Sequence, residues 1–159
     1  MKTLSDLFVH TLKDIYFAEN AIAKALPGVA AATKNKDLKA AIEEHLAETK
    51  LQISILKKVF AAIGEKVEGE KCDAIEGLLK EASGLIDEAS GPIALDAGII
   101  GCAQAIEHYE IARYGSLREW AKVLGHDEAH KMLSEILDQE KAANSKLTNL
   151  AVTTVNKKG

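Results

Sequence analysis

Apolar residues recur three and four positions apart along nearly the whole chain, the spacing of helices that bury one face. The first such pattern runs from about Leu4 to Ala32, with Thr3 or Ser5 positioned to cap its start. Pro27-Gly28 falls inside it and predicts a kink or an early stop, because proline cannot donate to the carbonyl four residues back. A second helix is expected from about Asp37 to Ile63, closed by Gly64 as a left-handed cap. The polar stretch Gly64 to Gly69 reads as a loop. A shorter amphipathic helix follows, from about Asp73 to Ala89, ended by Ser90-Gly91-Pro92. The fourth pattern runs from about Ile93 to Leu124 and stops at Gly125. Asp127 is expected to cap a fifth, reaching about Thr154 before a frayed tail of Asn156, Lys157, Lys158 and Gly159.

Connection lengths then fix an architecture. The breaks near Thr33 and Gly125 are short, so the first two long helices form one antiparallel hairpin and the last two another. Between the hairpins lies a long connection with its own helix, able to cross the length of a bundle. Two hairpins joined by one long crossover describe an all-α, ferritin-like four-helix bundle occupying residues 1–159 as a single domain.

Following the heptad seam of each helix brings out an anomaly. The first helix gives Phe8, Leu12, Ile15, Glu19, Ile22, Leu26 and Val29. The fourth gives Ile100, Ala103, Glu107, Glu110, Tyr114, Leu117, Ala121 and Leu124. The fifth gives Leu133, Ile136, Glu140, Ala143, Leu147, Leu150 and Thr154. In each, apolar turns flank glutamate on both sides, so the carboxylate is expected to face the core. The second helix offers two stripes: Ile42, Leu46, Thr49, Ile53, Leu56 and Phe60, or Ala41, His45, Glu48, Gln52, Ile55 and Val59. Both together make a wide core-facing surface, and sequence alone leaves open which stripe points at the bundle axis.

Heights agree as well. Residues equally far from a hairpin turn lie at about the same level, at about 1.5 Å rise per residue. Glu19 pairs with Glu48 by this measure and Glu110 with Glu140, while Glu107 sits one turn away. A single glutamate near a seam is ordinarily solvated. Five at compatible heights on four helices, with no lysine or arginine among the seam positions, require neutralisation by protons or by metal cations. Two carboxylate-bridged divalent ions suit so oxygen-rich a set. His45, one turn before Glu48, is a further candidate ligand, against a structural role, and Gln52, one turn after Glu48, is the alternative. Tyr16 and Tyr114, each one turn from a glutamate, are candidates to donate hydrogen bonds to ligand carboxylates, or are ordinary core residues.

Composition narrows the partners. The net charge of −4 argues against nucleic acid and anionic membranes. The most apolar stretch, Ile93 to Ile106, contains Asp96 and is too short to span a bilayer. No targeting segment is read at the N-terminus, where Asp6, His10 and Lys13 interrupt any apolar run. Cys72 and Cys102 lie in no metal or redox motif and read as reduced, small apolar residues, which implies a cytoplasmic protein. Without a rubredoxin-like cysteine cluster, any reductant must be external.

Several stretches carry a resemblance to a known family: AENAI around Glu19, HLAETKLQI from His45 to Ile53, KCDAIEGLL from Lys71, EHYEIARYGSL from Glu107, and EKAANSKLTNLA from Glu140. Over nearly its full length the chain resembles the YciE/YciF-like ferritin-like stress-response proteins of bacteria. The resemblance implies a fold like that of rubrerythrin and other di-iron carboxylate proteins, and a homodimer. One departure matters. Di-iron bundles supply Glu-x-x-His from two helices, whereas here Glu48 is followed by Leu51 and Glu140 by Ala143. Asp127 and His130 have that spacing but start the last helix, far from the site's level. The expected centre is therefore two metal ions held by Glu19, His45, Glu48, Glu107, Glu110 and Glu140, iron first, with manganese or another divalent cation as alternatives. Two functions are expected to compete: oxidation of iron or reduction of oxygen or peroxide, and a non-catalytic structural role in which metal serves only stability.

Overall fold

In a computed structural model describing residues 1–157, the chain forms five α-helices: α1 (Leu4–Ala32), α2 (Lys36–Ala62), α3 (Asp73–Glu88), α4 (Pro92–Val123) and α5 (Asp127–Leu150). A π-helical turn, Ala151–Val155, extends α5. The expected tail ends at Lys158 and Gly159, outside the described residues.

The helix ends follow from local chemistry. Thr3 and Asp6 form a reciprocal capping box at α1. The Asn35 side chain accepts from the Asp37 and Leu38 amides at the start of α2. Pro92 opens α4, where its missing N–H is harmless. Gly64 and Gly125, with φ of 74° and 75°, take the left-handed conformation that ends α2 and α4. Two sequence expectations need correction. Helix α1 runs through Pro27 without stopping; the ring is exposed, so it adds no steric conflict with the core. At α5 the cap position belongs to His126, whose ring stacks on Phe8, and Asp127 is the first helical residue. There its carboxylate faces the helix's positive end without capping it.

Helices α1, α2, α5 and α4 pack in that cyclic order, and α3 lies against α4 and α1. Cross-helix pairs show the directions. Between α2 and α5, Gln52 meets Gln139 and Glu44 meets Lys146; between α4 and α5, Gln104 meets Asn144 and Arg118 meets His130. One residue number falls as the other rises, so both pairs are antiparallel. Asp96, near the start of α4, accepts from the Lys34 and Asn35 amides at 2.8 and 2.7 Å. That bond pins the start of α4 to the α1–α2 turn, so the 64–91 connection must travel the full length of the bundle. It does so along α1, where Glu70 N donates to Lys13 O, and then through α3.

The apolar core is divided. One cluster, built on Phe8, Leu12, Leu56, Phe60, Leu117 and Leu133, fills the end near Gly125. The other, built on Leu38, Ile42, Ile99, Ile100 and Leu147, fills the end near the α1–α2 turn. Between them lies a belt of buried polar side chains.

Candidate metal centre

Each helix of the four-helix core contributes to that belt. Glu19 on α1, Glu107 and Glu110 on α4, and Glu140 on α5 are all buried, as their seam positions require. On α2 the buried residues are Leu38, Ala41, Ile42, Thr49, Gln52, Leu56, Val59 and Phe60, with His45 largely covered. The two stripes read from the sequence together form the core-facing surface, and neither alone is the seam. The inward line takes Ile42, Thr49 and Leu56 from one and His45, Gln52 and Val59 from the other. Glu48 consequently sits on the flank of α2, half-buried near Glu44 and Lys146, and does not join the converging carboxylates.

Two groups of ligand-type atoms converge, each within 4.8 Å: His45 with Glu107 and Glu110, and Glu19 with Glu110 and Glu140. Glu110 belongs to both. Around them, Tyr114 donates to Glu19 Oε1 from across the α1–α4 interface. Gln52 Nε2 donates to Glu140 Oε1 at 2.5 Å and to Gln139 Oε1 at 3.1 Å. His45 Nε2 lies 3.5 Å from Glu107 Oε1. Eight buried side-chain atoms among the described residues have no hydrogen-bond partner, and all eight lie in this belt: one oxygen each of Glu19, Glu107 and Glu140, both of Glu110, His45 Nδ1, Thr49 Oγ1 and Gln52 Oε1. Buried polar groups in folded proteins are ordinarily satisfied, at a penalty of about 1–3 kcal/mol each when they are not.

The electrostatics agree with the geometry. Burial, with the charge of Glu140 next, raises the Glu19 carboxyl to about 8. Burial raises Glu107 to about 10, with Glu140 as the next cause. Glu110 is held well above the carboxylate range by burial and by Glu19, Glu140 and Glu107. Glu140 is raised by burial too, against hydrogen bonding from Glu107 and then from Gln52. Burial lowers His45 to about 4, leaving a neutral imidazole with a free lone pair. Without a cation, the belt holds protons at neutral pH.

These residues fit a cation pair. Oxygen donors from four carboxylates with one imidazole suit hard or borderline divalent ions. Tyr114 and Gln52 would orient the ligand carboxylates they touch. The sequence singled out Tyr114 and, as a candidate ligand, Gln52, which here donates to Glu140; it missed Thr49, for which a hydroxyl at seam spacing on the same helix as His45 was the available signal. Tyr16 packs edge-on against Phe60 instead. Cys72 is buried but not merely apolar: its sulfur accepts from the Ile75 amide and meets the Tyr109 hydroxyl, which in turn donates to Asp14. Cys102 is half-buried. His10 pairs with Glu70, and His130 Nδ1 meets the Arg118 carbonyl, so both serve the scaffold.

No helix among the described residues is long and apolar enough to cross a membrane. Residues 3–159 match the family described as a domain of unknown function, DUF892. Protein YciF of Escherichia coli (strain K12) is 44% identical over 159 residues, covering 99% of this chain and 96% of that protein. The crystal structure of that stress protein superposes with a TM-score of 0.95 over 99% of this chain and 100% of that one. YcfI of Rhodopseudomonas palustris, provisionally described as a structural protein, is 48% identical, with a TM-score of 0.91 over 92% of this chain and 94% of its own. The chain belongs to the DUF892 family and is similar throughout its length to the stress protein YciF.

Proposed function

We propose that this chain is a ferritin-like stress protein whose bundle core holds a carboxylate-bridged pair of metal ions, iron first, with manganese or another divalent cation as alternatives. His45, Glu107 and Glu110 would hold one ion and Glu19, Glu110 and Glu140 the other, with Glu110 bridging. The observation that carries this reading is the convergence of all eight unpartnered buried atoms on one belt. Unpartnered lone pairs gathered in one buried belt are what cations satisfy. Glu48, on the flank, is left out of this ligand set and stands near the entrance.

When bound, such an ion pair would carry electrons from a donor, ferrous iron or an external reductant, to oxygen or peroxide as the acceptor. The protein's own part is to hold Glu19 and Glu140 through Tyr114 and Gln52, to exclude water with the two apolar clusters, and to release the belt's protons as cations enter. Electrons must come from an external reductant, since the sequence carries no rubredoxin-like cysteine cluster. A homodimer in the cytoplasm is the setting we infer from the resemblance to stress proteins, and sedimentation velocity reads the assembly.

The description of YcfI as structural favours a second reading, a non-catalytic role with metal as a staple. Steady-state consumption of peroxide separates the two. Iron-loaded protein supplied with a reductant is expected to turn over peroxide, and Glu19→Ala and Glu140→Ala to lose this while remaining helical. No turnover, together with a large fall in Tm on metal removal, would instead establish the staple.

A further inference from the structure

The junction between the two apolar clusters is not filled. A cavity of about 180 Å³ lies between α1, α2, α4 and α5, walled by Leu26, Val29, Ile42, Ala103, Ala143 and Leu147. Its inner end is His45 and Glu107, and its mouth is formed by Glu44, Glu48 and Lys146, with an ion pair between Lys146 and Glu44 across it. A smaller cavity of about 50 Å³ continues on the far side, beneath α3, sharing Leu26, Val29, Ala103, His45 and Glu107. The space arises because α4 and α5 present only methyl groups, at Ala103 and Ala143, between Ile100 and Glu107 on one helix and Glu140 and Leu147 on the other.

We propose that this cavity binds a small, largely apolar organic molecule the size of a single aromatic ring, carrying one polar group directed at His45 and Glu107. Size sets the first limit: an apolar protein cavity of about 150 Å³ accepts benzene and stays dry without it. Polarity sets the second. Side walls of leucine, valine, isoleucine and alanine offer a guest no hydrogen bonds, whereas His45 and Glu107, with Nε2 and Oε1 3.5 Å apart, line the cavity as its polar part. A hydroxyl on a ring meets both conditions, and a sugar or a nucleotide meets neither. The guest would share His45 and Glu107 with the proposed metal pair, so its chemical fate rests on that reading and its binding is tested on the metal-free protein.

Isothermal titration of the metal-free full-length protein with phenol, and with benzene as a probe lacking the hydroxyl, tests this. Saturable one-to-one binding of phenol at up to low-millimolar concentration is expected, with benzene weaker. Ala143→Leu, at a half-buried position, and Ala103→Leu each fill the space and are expected to weaken phenol binding by about tenfold or more. Two variants guard against one failing to fold. No saturable binding of either probe, or binding unchanged in both filled variants, overturns the proposal. A protein that takes up metal but not phenol loses the pocket alone, and one that binds phenol but no metal loses the metal centre alone.

Discussion

Glu110 is the side chain on which the centre turns, because it is fully buried, belongs to both converging groups and has neither oxygen partnered. Its neighbours share the consequence. Carboxyls raised in the folded chain, Glu19 to about 8 and Glu107 to about 10, keep protons that the unfolded chain releases above about 4.5. The native metal-free protein therefore binds more protons than the unfolded one between these values, and stability falls as pH rises through that window. His45, lowered to about 4 from 6.5, acts oppositely and gains stability for the fold as pH rises to 6.5. One imidazole offsets only one carboxyl, so the acids win and the slope steepens above pH 6.5. Thermal melts of metal-free protein are expected to show Tm falling from pH 5 to pH 9, on the order of 1.4 kcal/mol per pH unit for each carboxyl still protonated. A cation replaces those protons, so metal-loaded protein is expected to lose this dependence. The buried glutamates were legible from seam spacing, but Glu48 was misplaced. Equal height along α2 does not fix rotation about its axis, and Glu48 is one residue, about 100°, away from the inward Thr49.

For the elements, most boundaries were readable because they are local: Thr3, Gly64, Pro92 and Gly125 act on the turn they occupy, whereas the Asn35 cap of α2 was not singled out. The rotation of α2 was not readable, since its apolar positions fit a four-three repeat in more than one register and only packing against α1 and α5 selects one. Proline at position 27 misled for a related reason. Its cost is borne within α1, where the Ala23 carbonyl loses its helical donor, and burial along the rest of the helix outweighs it. Replacing it in Pro27→Ala is expected to raise stability by about 1–2 kcal/mol in a denaturant titration, less than the full proline penalty because the unfolded chain gains freedom. Asp96 was read only as a charge interrupting an apolar run. Its two bonds to the α1–α2 turn make it the lock that holds α4 in register. Asp96→Ala is expected to cost on the order of 3 kcal/mol and to lower Tm by roughly 10 °C, read by calorimetry.

At the scale of the whole molecule, loop lengths carried the topology. Short connections force hairpins, and a long one is needed if α4 is to begin where α2 begins. What loop lengths and periodicity left unread is the division of the core: two apolar clusters separated by a belt that only becomes coherent once Glu19, Glu107, Glu110 and Glu140 meet from three helices. The belt is the costliest feature of the fold and the one that cations would turn into a stabilising one. Counting ions tests this most directly. After anaerobic incubation with ferrous iron and removal of excess, elemental analysis is expected to find about two ions per chain in the parent and in Glu48→Gln, and a loss of both in Glu110→Gln. A parent without stoichiometric metal, or a loss in Glu48→Gln that Glu110→Gln does not show, would contradict the account.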